Sequence, residues 1–203
     1  MNIMSTEEKI KRAALKEFAA YGFEGARIDR IAGKAKVNKA MIYYHYKNKE
    51  SLYEAVLATI HKTIVNKIIN AIPKDKTPEE QLQVIVSEFI SFTRDLDKDF
   101  VKMMLREISS GGKFFKKLML PNVILPMMKI VQDLFNAGIK ARVFKNVIPH
   151  ITFIQVLGAV MFSNAIRVIL ADTSIGKAVF KDSFFDDFKE NLLTILKSGI
   201  LVN

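Results

Sequence analysis

The chain is 203 residues long, half of them hydrophobic, with neither cysteine nor tryptophan. The missing thiol excludes a disulfide scaffold, a zinc-thiolate site, an iron–sulfur cluster and a cysteine nucleophile. Lysine and arginine number 31 against 21 acids, a net charge of +10 that points to a polyanionic partner, either nucleic acid or an anionic membrane face.

The charge is unevenly spread. Residues 1–53 carry 11 basic and 6 acidic side chains, and residues 27–49 carry 7 basic side chains against one acid, Asp29. The leading MNIMSTEEKIKRAALKEF has no apolar core of signal-peptide length and no small-residue cleavage site, so a cytoplasmic protein is expected. Ser5 and Glu8 form a capping-box pattern, and Ile10, Ala13, Ala14 and Phe18 then make one apolar stripe on a helix over 5–21 that Gly22 ends. Ile28, Ile31, Ala32 and Ala35 mark a short second helix. Val37 lies in a tight connection, and Asn38 can cap a third helix over 38–44. A fourth runs from near Asn48 through Leu52, Ala55, Val56, Ile60, Ile64 and Ile68 to Pro73.

Pro73 and Pro78 bracket a charged linker, KDKT. Further helices are predicted over 78–95, 98–109, 114–138, 147–171 and 182–198, with breaks at Gly111-Gly112, at Gly138 and the polar stretch after it, and from Thr173 to Gly176. Pro121 and Pro126 imply that the helix over 114–138 is kinked or begins later. Residues 151–171 are long enough to cross a membrane, but Gln155, Ser163, Asn164 and Arg167 interrupt them; a helix buried on most of its circumference in a soluble oligomer is expected, and no membrane partner. No strand-like alternation occurs. The fold class is all-α: a basic N-terminal three-helix domain over 1–50 and a larger helical body over 51–203.

Two short helices joined by three or four residues, with the first helix as a lid, describe a helix-turn-helix, whose second helix fits the major groove of double-stranded DNA. In the third helix Val37 and Ile42 can face inward, leaving Lys39, Ala40, Met41, Tyr43 and Tyr44 to face outward. Small and medium side chains edged by cations and hydroxyls let a helix approach base edges while phosphates are held at its margins. Lys47 and Lys49 follow at the start of the fourth helix, whose N-terminal N–H groups also favour a phosphate.

The set Ile10, Ala13-Ala14, Phe18, Gly22-Phe23, Ile31-Ala32, Ala35, Val37, Ile42-Tyr43-Tyr44-His45-Tyr46, Lys49 and Leu52 resembles the DNA-binding domain of TetR-type transcriptional regulators. The resemblance implies that Tyr43 and Lys49 hold phosphates and that Lys39, Ala40, Met41, Tyr44 and His45 lie at or beside the bases, with Asn38 at the start of the reading helix. His45 can equally cap its short helix. Two positions depart from the pattern. Lys36 stands where the family has glycine in the turn, and Ala26-Arg27 stand where it has threonine, so a guanidinium replaces a hydroxyl and Lys36 can reach a phosphate.

Beyond Leu57 the resemblance is one of layout, and implies a helical domain that binds a small-molecule effector and forms a homodimer. Phe89, Phe92, Met103, Met104, Met127, Met128, Phe153 and Phe162 are candidate pocket residues, each with an ordinary core role as the default. Val156, Val160, Ile166, Phe184, Phe185, Phe188, Leu192 and Ile195 are candidates for the dimer face. Glu107 beside Arg106 reads as a surface pair rather than a buried pair lining a cavity. His61 and His150 are isolated, so no metal or other cofactor is expected, and no catalytic constellation is present to suggest an enzyme. The expected function is a ligand-responsive repressor on a palindromic operator; the alternative is a basic helical protein that binds anionic membranes or acidic partners without sequence preference.

Overall fold

Ser5 opens the first helix as its spacing to Glu8 requires. In the computed structural model Ser5 N–H donates to Glu8 Oε2 at 2.7 Å and Glu8 N–H donates to Ser5 Oγ at 3.2 Å. Residues 4–73 and 75–202 are described, apart from the side chains of residues 60–63; the readings of Ile60, His61 and Lys74 fall outside this set. The helices are α1 (Thr6–Gly25), α2 (Ile28–Ala35), α3 (Lys39–His45), α4 (Lys49–Ala71), α5 (Pro78–Arg94), α6 (Lys98–Ser109), a π-helical segment (Phe115–Ile124), α7 (Leu125–Lys140), α8 (Pro149–Ile169), α9 (Ser174–Val179) and α10 (Phe184–Ile200). No strand forms among the described residues, and the fold class is all-α as expected.

Residues Met1–Lys62 and Asp97–Asn122 make one compact unit, and Thr63–Leu96 with Val123–Asn203 another. In the first, the stripe of Ile10, Ala14 and Phe18 is fully buried beside Ile31, Ile42, Leu52 and Met103. Four aromatic rings stack through this core. Tyr53 lies 4.7 Å from Phe18 and 4.5 Å from Phe114 between centroids, and Phe23 lies 4.8 Å from Phe114. Gly22, at φ +68°, breaks the helical path where the sequence predicts an end, and one more turn follows before Ala26.

Glu107 is a correction to the surface reading. It is buried, and accepts from Tyr53 Oη at 3.0 Å, Phe114 N–H at 2.7 Å and Phe115 N–H at 3.1 Å. Its neighbour Arg106 is not its partner; that guanidinium donates to the Ala19 carbonyl at 2.8 Å. The backbone explains the burial. Gly111 and Gly112 both take positive φ and turn the chain back, so that the next segment begins with two N–H groups aimed at the Glu107 carboxylate. The helix predicted over 114–138 also differs in form: Phe115–Ile124 are π-helical around Pro121, and Asn122 Nδ2 donates to the Leu118 carbonyl at 2.8 Å in the stretch where the proline has no donor.

In the second unit α5 starts with a second capping box, Thr77 with Glu80, directly after the linker. Gly138 is not a break: α7 runs on to Lys140, and the glycine is needed because Phe144 packs on it so closely that a Cβ would lie 2.2 Å from the ring. The predicted break from Thr173 to Gly176 instead holds α9, capped by Thr173. The buried Asn164 donates to the Thr93 carbonyl at 2.9 Å and accepts from Arg167, whose guanidinium lies 5.1 Å from the Phe185 ring centroid. Phe115–Lys140 and Pro149–Ile169 are long and apolar enough to cross a membrane by length and composition. Within the chain α8 is not covered all round: Ile151, Ile154, Phe162 and Ile169 are exposed along one stripe.

Removing the Glu107 carboxylate would leave a buried hydroxyl and two N–H groups without an acceptor. Glu107→Ala is expected to cost about 3 kcal/mol and Glu107→Gln less, measured by urea unfolding; equal and small losses would show that the hydrogen bonds contribute little.

Candidate nucleic-acid interface

Eight residues of α2 and seven of α3 are too few to hold themselves up, so their geometry is set by what they rest on. α2 buries Ile28, Ile31, Ala32 and Ala35, and α3 buries Ile42, only 1% exposed. Between them Lys36 takes the left-handed conformation, φ 56° and ψ 44°, and the chain closes with Val37 N–H on the Ala32 carbonyl at 3.1 Å. A side chain at that φ costs about 1 kcal/mol relative to glycine. Asn38 then caps α3, its Oδ1 accepting from Met41 N–H at 2.8 Å.

With Ile42 inward, most of the rest of α3 faces water. Lys39 and Ala40 are exposed, as are Met41 at 38%, Tyr43 at 48% and Tyr44 at 83%. His45 is half-buried, its ring edge-on to Tyr44 at 5.3 Å. Tyr46 is buried, with its hydroxyl 3.4 Å from Glu7 Oε1; burial and that carboxylate raise its pKa. Arg27 is exposed at the N-cap of α2, and Lys36 beside the turn.

Two predicted cations are engaged within the chain. Lys39 Nζ lies 2.7 Å from Asp29 Oδ1, and that hydrogen bond holds the Asp29 carboxyl below its usual range. Lys49 Nζ donates to the Glu24 and Ala26 carbonyls, each at 3.3 Å, and sits 4.7 Å from the Phe23 ring centroid. Its ammonium therefore closes the corner between α1 and α2, a role the resemblance did not supply.

Sequence reading missed Glu17. This carboxylate is fully buried, yet Arg30 Nε and Lys34 Nζ of α2 both pair with it, the latter at 2.7 Å, and Arg27 N–H donates to it at 3.3 Å. The signal was present: Glu17 interrupts the apolar stripe next to Phe18, while Arg30 and Lys34 lie four apart on one face of α2. Burial pushes its carboxyl up, but the hydrogen bonds from Lys34, Arg30 and Arg27 outweigh this, and its pKa falls below the ordinary 4.5.

Residues 10–56 match the family model described as "Bacterial regulatory proteins, tetR family", and residues 75–203 match that described as "Tetracyclin repressor-like, C-terminal domain". The chain belongs to the tetR family. An HTH-type transcriptional repressor of Streptomyces coelicolor is 51% identical to it over 53 residues, 26% of this chain and 28% of that protein. The HTH-type transcriptional repressor NicS of Pseudomonas putida is 37% identical over 115 residues, 55% of this chain and 52% of that protein. The chain thus spans about half or less of these two relatives. The transcriptional regulator FadR of Bacillus subtilis, solved in complex with stearoyl-CoA, has a TM-score of 0.69 over 92% of this chain and 97% of that one at 18% identity, a likeness of fold.

This tetR-family chain also has an apolar cavity of about 50 Å³ within its second unit, walled by α5, α7 and α8 with Ile64 and Leu196. Of the candidate pocket residues, Phe89, Met127 and Phe153 line it. Phe92 is buried elsewhere in that unit, Met128 is half-buried off the cavity wall, and Phe162 points to solvent at 69% exposure. Met103 and Met104 belong to the core of the first unit. Of the residues expected on a dimer face, Val160 and Phe185 are core and Val156 lines the cavity, Ile166, Phe184, Phe188 and Leu192 are half-buried and Ile195 is exposed; on α8 the stripe of Ile151, Ile154, Phe162 and Ile169 is uncovered.

Because the pKa of Glu17 is lowered on folding, its stabilisation is present above pH 4.5 and lost as pH falls below that value. Glu17→Gln should lose about 2 kcal/mol at neutral pH and show a shallower fall in stability under acid than the parent chain. An unchanged acid limb in thermal unfolding from pH 7 to 3 would assign the acid sensitivity to another group.

Proposed function

We propose that this chain is a ligand-responsive transcriptional repressor in the cytoplasm, binding a palindromic operator in double-stranded DNA as a homodimer and released by a small apolar or amphipathic effector. The observation that carries the reading is the outward face of α3, where Ala40, Met41, Tyr43 and Tyr44 project past one buried isoleucine, Ile42. Arg27, Lys36 and Lys47 surround that face with exposed cations. Short side chains at Ala40 and Met41 leave room for base edges, and the tyrosine hydroxyls and cations suit phosphates. Relatives named as HTH-type transcriptional repressors support the same reading.

A single reading helix touches only a few base pairs, so specificity calls for two copies with reading heads about 34–36 Å apart. The uncovered apolar stripe on α8, with Ile195 on α10, is where a second copy would bury hydrocarbon that one chain leaves in water. The all-hydrocarbon lining of the cavity suits an acyl chain or another apolar group, and the fold neighbour from Bacillus subtilis holds stearoyl-CoA. A cavity of about 50 Å³ is smaller than any such guest, so binding has to part α5, α7 and α8. That movement is the source of the switch: the occupied arrangement sets the two α3 helices off the groove spacing and operator affinity falls.

The test is a gel shift at fixed salt with duplexes from upstream of the chain's own gene. One palindromic duplex should compete far better than random DNA; equal competition would favour a basic protein without sequence preference. Tyr43→Ala should weaken binding to every duplex about fivefold, the loss of one phosphate hydrogen bond. Met41→Ala should change the preferred sequence more than the overall affinity. A uniform loss from Met41→Ala would remove it from the bases.

A further inference from the structure

A groove of about 540 Å³ lies between α1 and the end of α2. Lys9, Arg12 and Lys16 line it from α1, and Lys34 and Lys36 from the end of α2 and the turn, with Met4 at its edge. Five cations line the groove and no carboxylate does. The charge of Lys34 is already shared with the buried Glu17. Lys9, Arg12, Lys16 and Lys36 make no ion pair among the described residues, and the guanidinium of Arg12 reaches only Met4 Sδ at 4.0 Å.

Exposed lysines are ordinary on a solvated helix face, and spacing alone would not distinguish this one. Two costs do. Cations gathered in one groove without a counter-charge repel one another. Lys36 adds to them from a left-handed backbone position that glycine would occupy without strain. A polyanion in the groove relieves the first and makes use of the second. The dimensions suit a nucleic-acid strand: residues 9, 12 and 16 share one helix face over about 10 Å. One DNA strand presents a phosphate every 3.4 Å or so along the axis, which makes about three phosphates over that length. One of its lining cations, Lys36, stands two residues before the Asn38 cap of α3, which brings the groove close in the chain to the start of that helix.

We infer that the Lys9–Arg12–Lys16–Lys36 groove holds the phosphate backbone of duplex DNA flanking the base pairs read by α3. This rests on the DNA-binding reading above and extends the contact beyond the half-site. The triple variant Lys9→Gln, Arg12→Gln, Lys16→Gln leaves the Glu17 pairs and all of α3 intact, and its helix content should match the parent by circular dichroism. The parent should bind an operator with flanks of about one helical turn more tightly than an operator trimmed to its half-sites. The triple variant should lose that gain, match the parent on the trimmed duplex, and show a salt slope shallower by about 5.4 for the homodimer, at 0.9 per phosphate released with three from each copy.

Lys36→Gly should raise Tm while lowering affinity for flanked DNA, a split that a structural role for the lysine would not give. A triple variant that keeps the parent's slope and flank gain overturns the inference. If the parent fails to prefer the palindrome over a scrambled duplex, the reading of α3 fails, and the slope difference on the scrambled duplex still decides the groove. Calorimetric binding of tripolyphosphate that depends on these three residues, with the flank gain intact, would overturn the duplex assignment in favour of a soluble polyphosphate.

Discussion

A carboxylate with no contact to water, shared by two cations of one short helix, fixes the reading end of this chain. Glu17 takes Arg30 and Lys34 from successive turns of α2 and the Arg27 N–H from its start, so α2 cannot slide or rotate on α1 without stranding a buried charge. Stranding one costs several kcal/mol, comparable with all that the short helix gains from its few buried alanines and isoleucines. The direction of α3 follows from that of α2 through a turn with no slack: Lys36 is left-handed, Asn38 caps, and Ile42 pins the helix down.

A second buried carboxylate, Glu107, plays the same part elsewhere in the first unit. Glu107 gathers a tyrosine hydroxyl from α4 and two backbone N–H groups from the start of the π-helical segment, beside the stack of Phe18, Tyr53, Phe114 and Phe23. In both places a polar residue sits in an apolar stripe and organises groups that are distant in the chain. Tyr53 shows the strength of the arrangement, since burial and the adjacent carboxylate push its hydroxyl pKa well up.

Local signals made most of the fold legible. The Ser5–Glu8 box, the Asn38 cap, the paired glycines at 111 and 112 and the buried Ile42 depend on neighbours a few residues away, and they stand where their spacing puts them. Features set by distant contacts were not legible. Glu107 looks like a surface residue until Tyr53 arrives from 54 positions earlier. α8 shows the limit most plainly. It is apolar on so much of its circumference that periodicity alone cannot say which stripe faces inward, and the face inferred from Val156 and Val160 is turned away from the uncovered one.

The small cavity has an energetic meaning of its own. Its exposed wall is apolar, so a water molecule there would forfeit hydrogen bonds. Hydrocarbon that filled about 50 Å³ of such space would add about 1 kcal/mol of packing, at about 24 cal/mol per Å³. The bundle is thus assembled slightly under-filled, and hydrophobic matter that completes its packing tightens the same helices whose separation admits it.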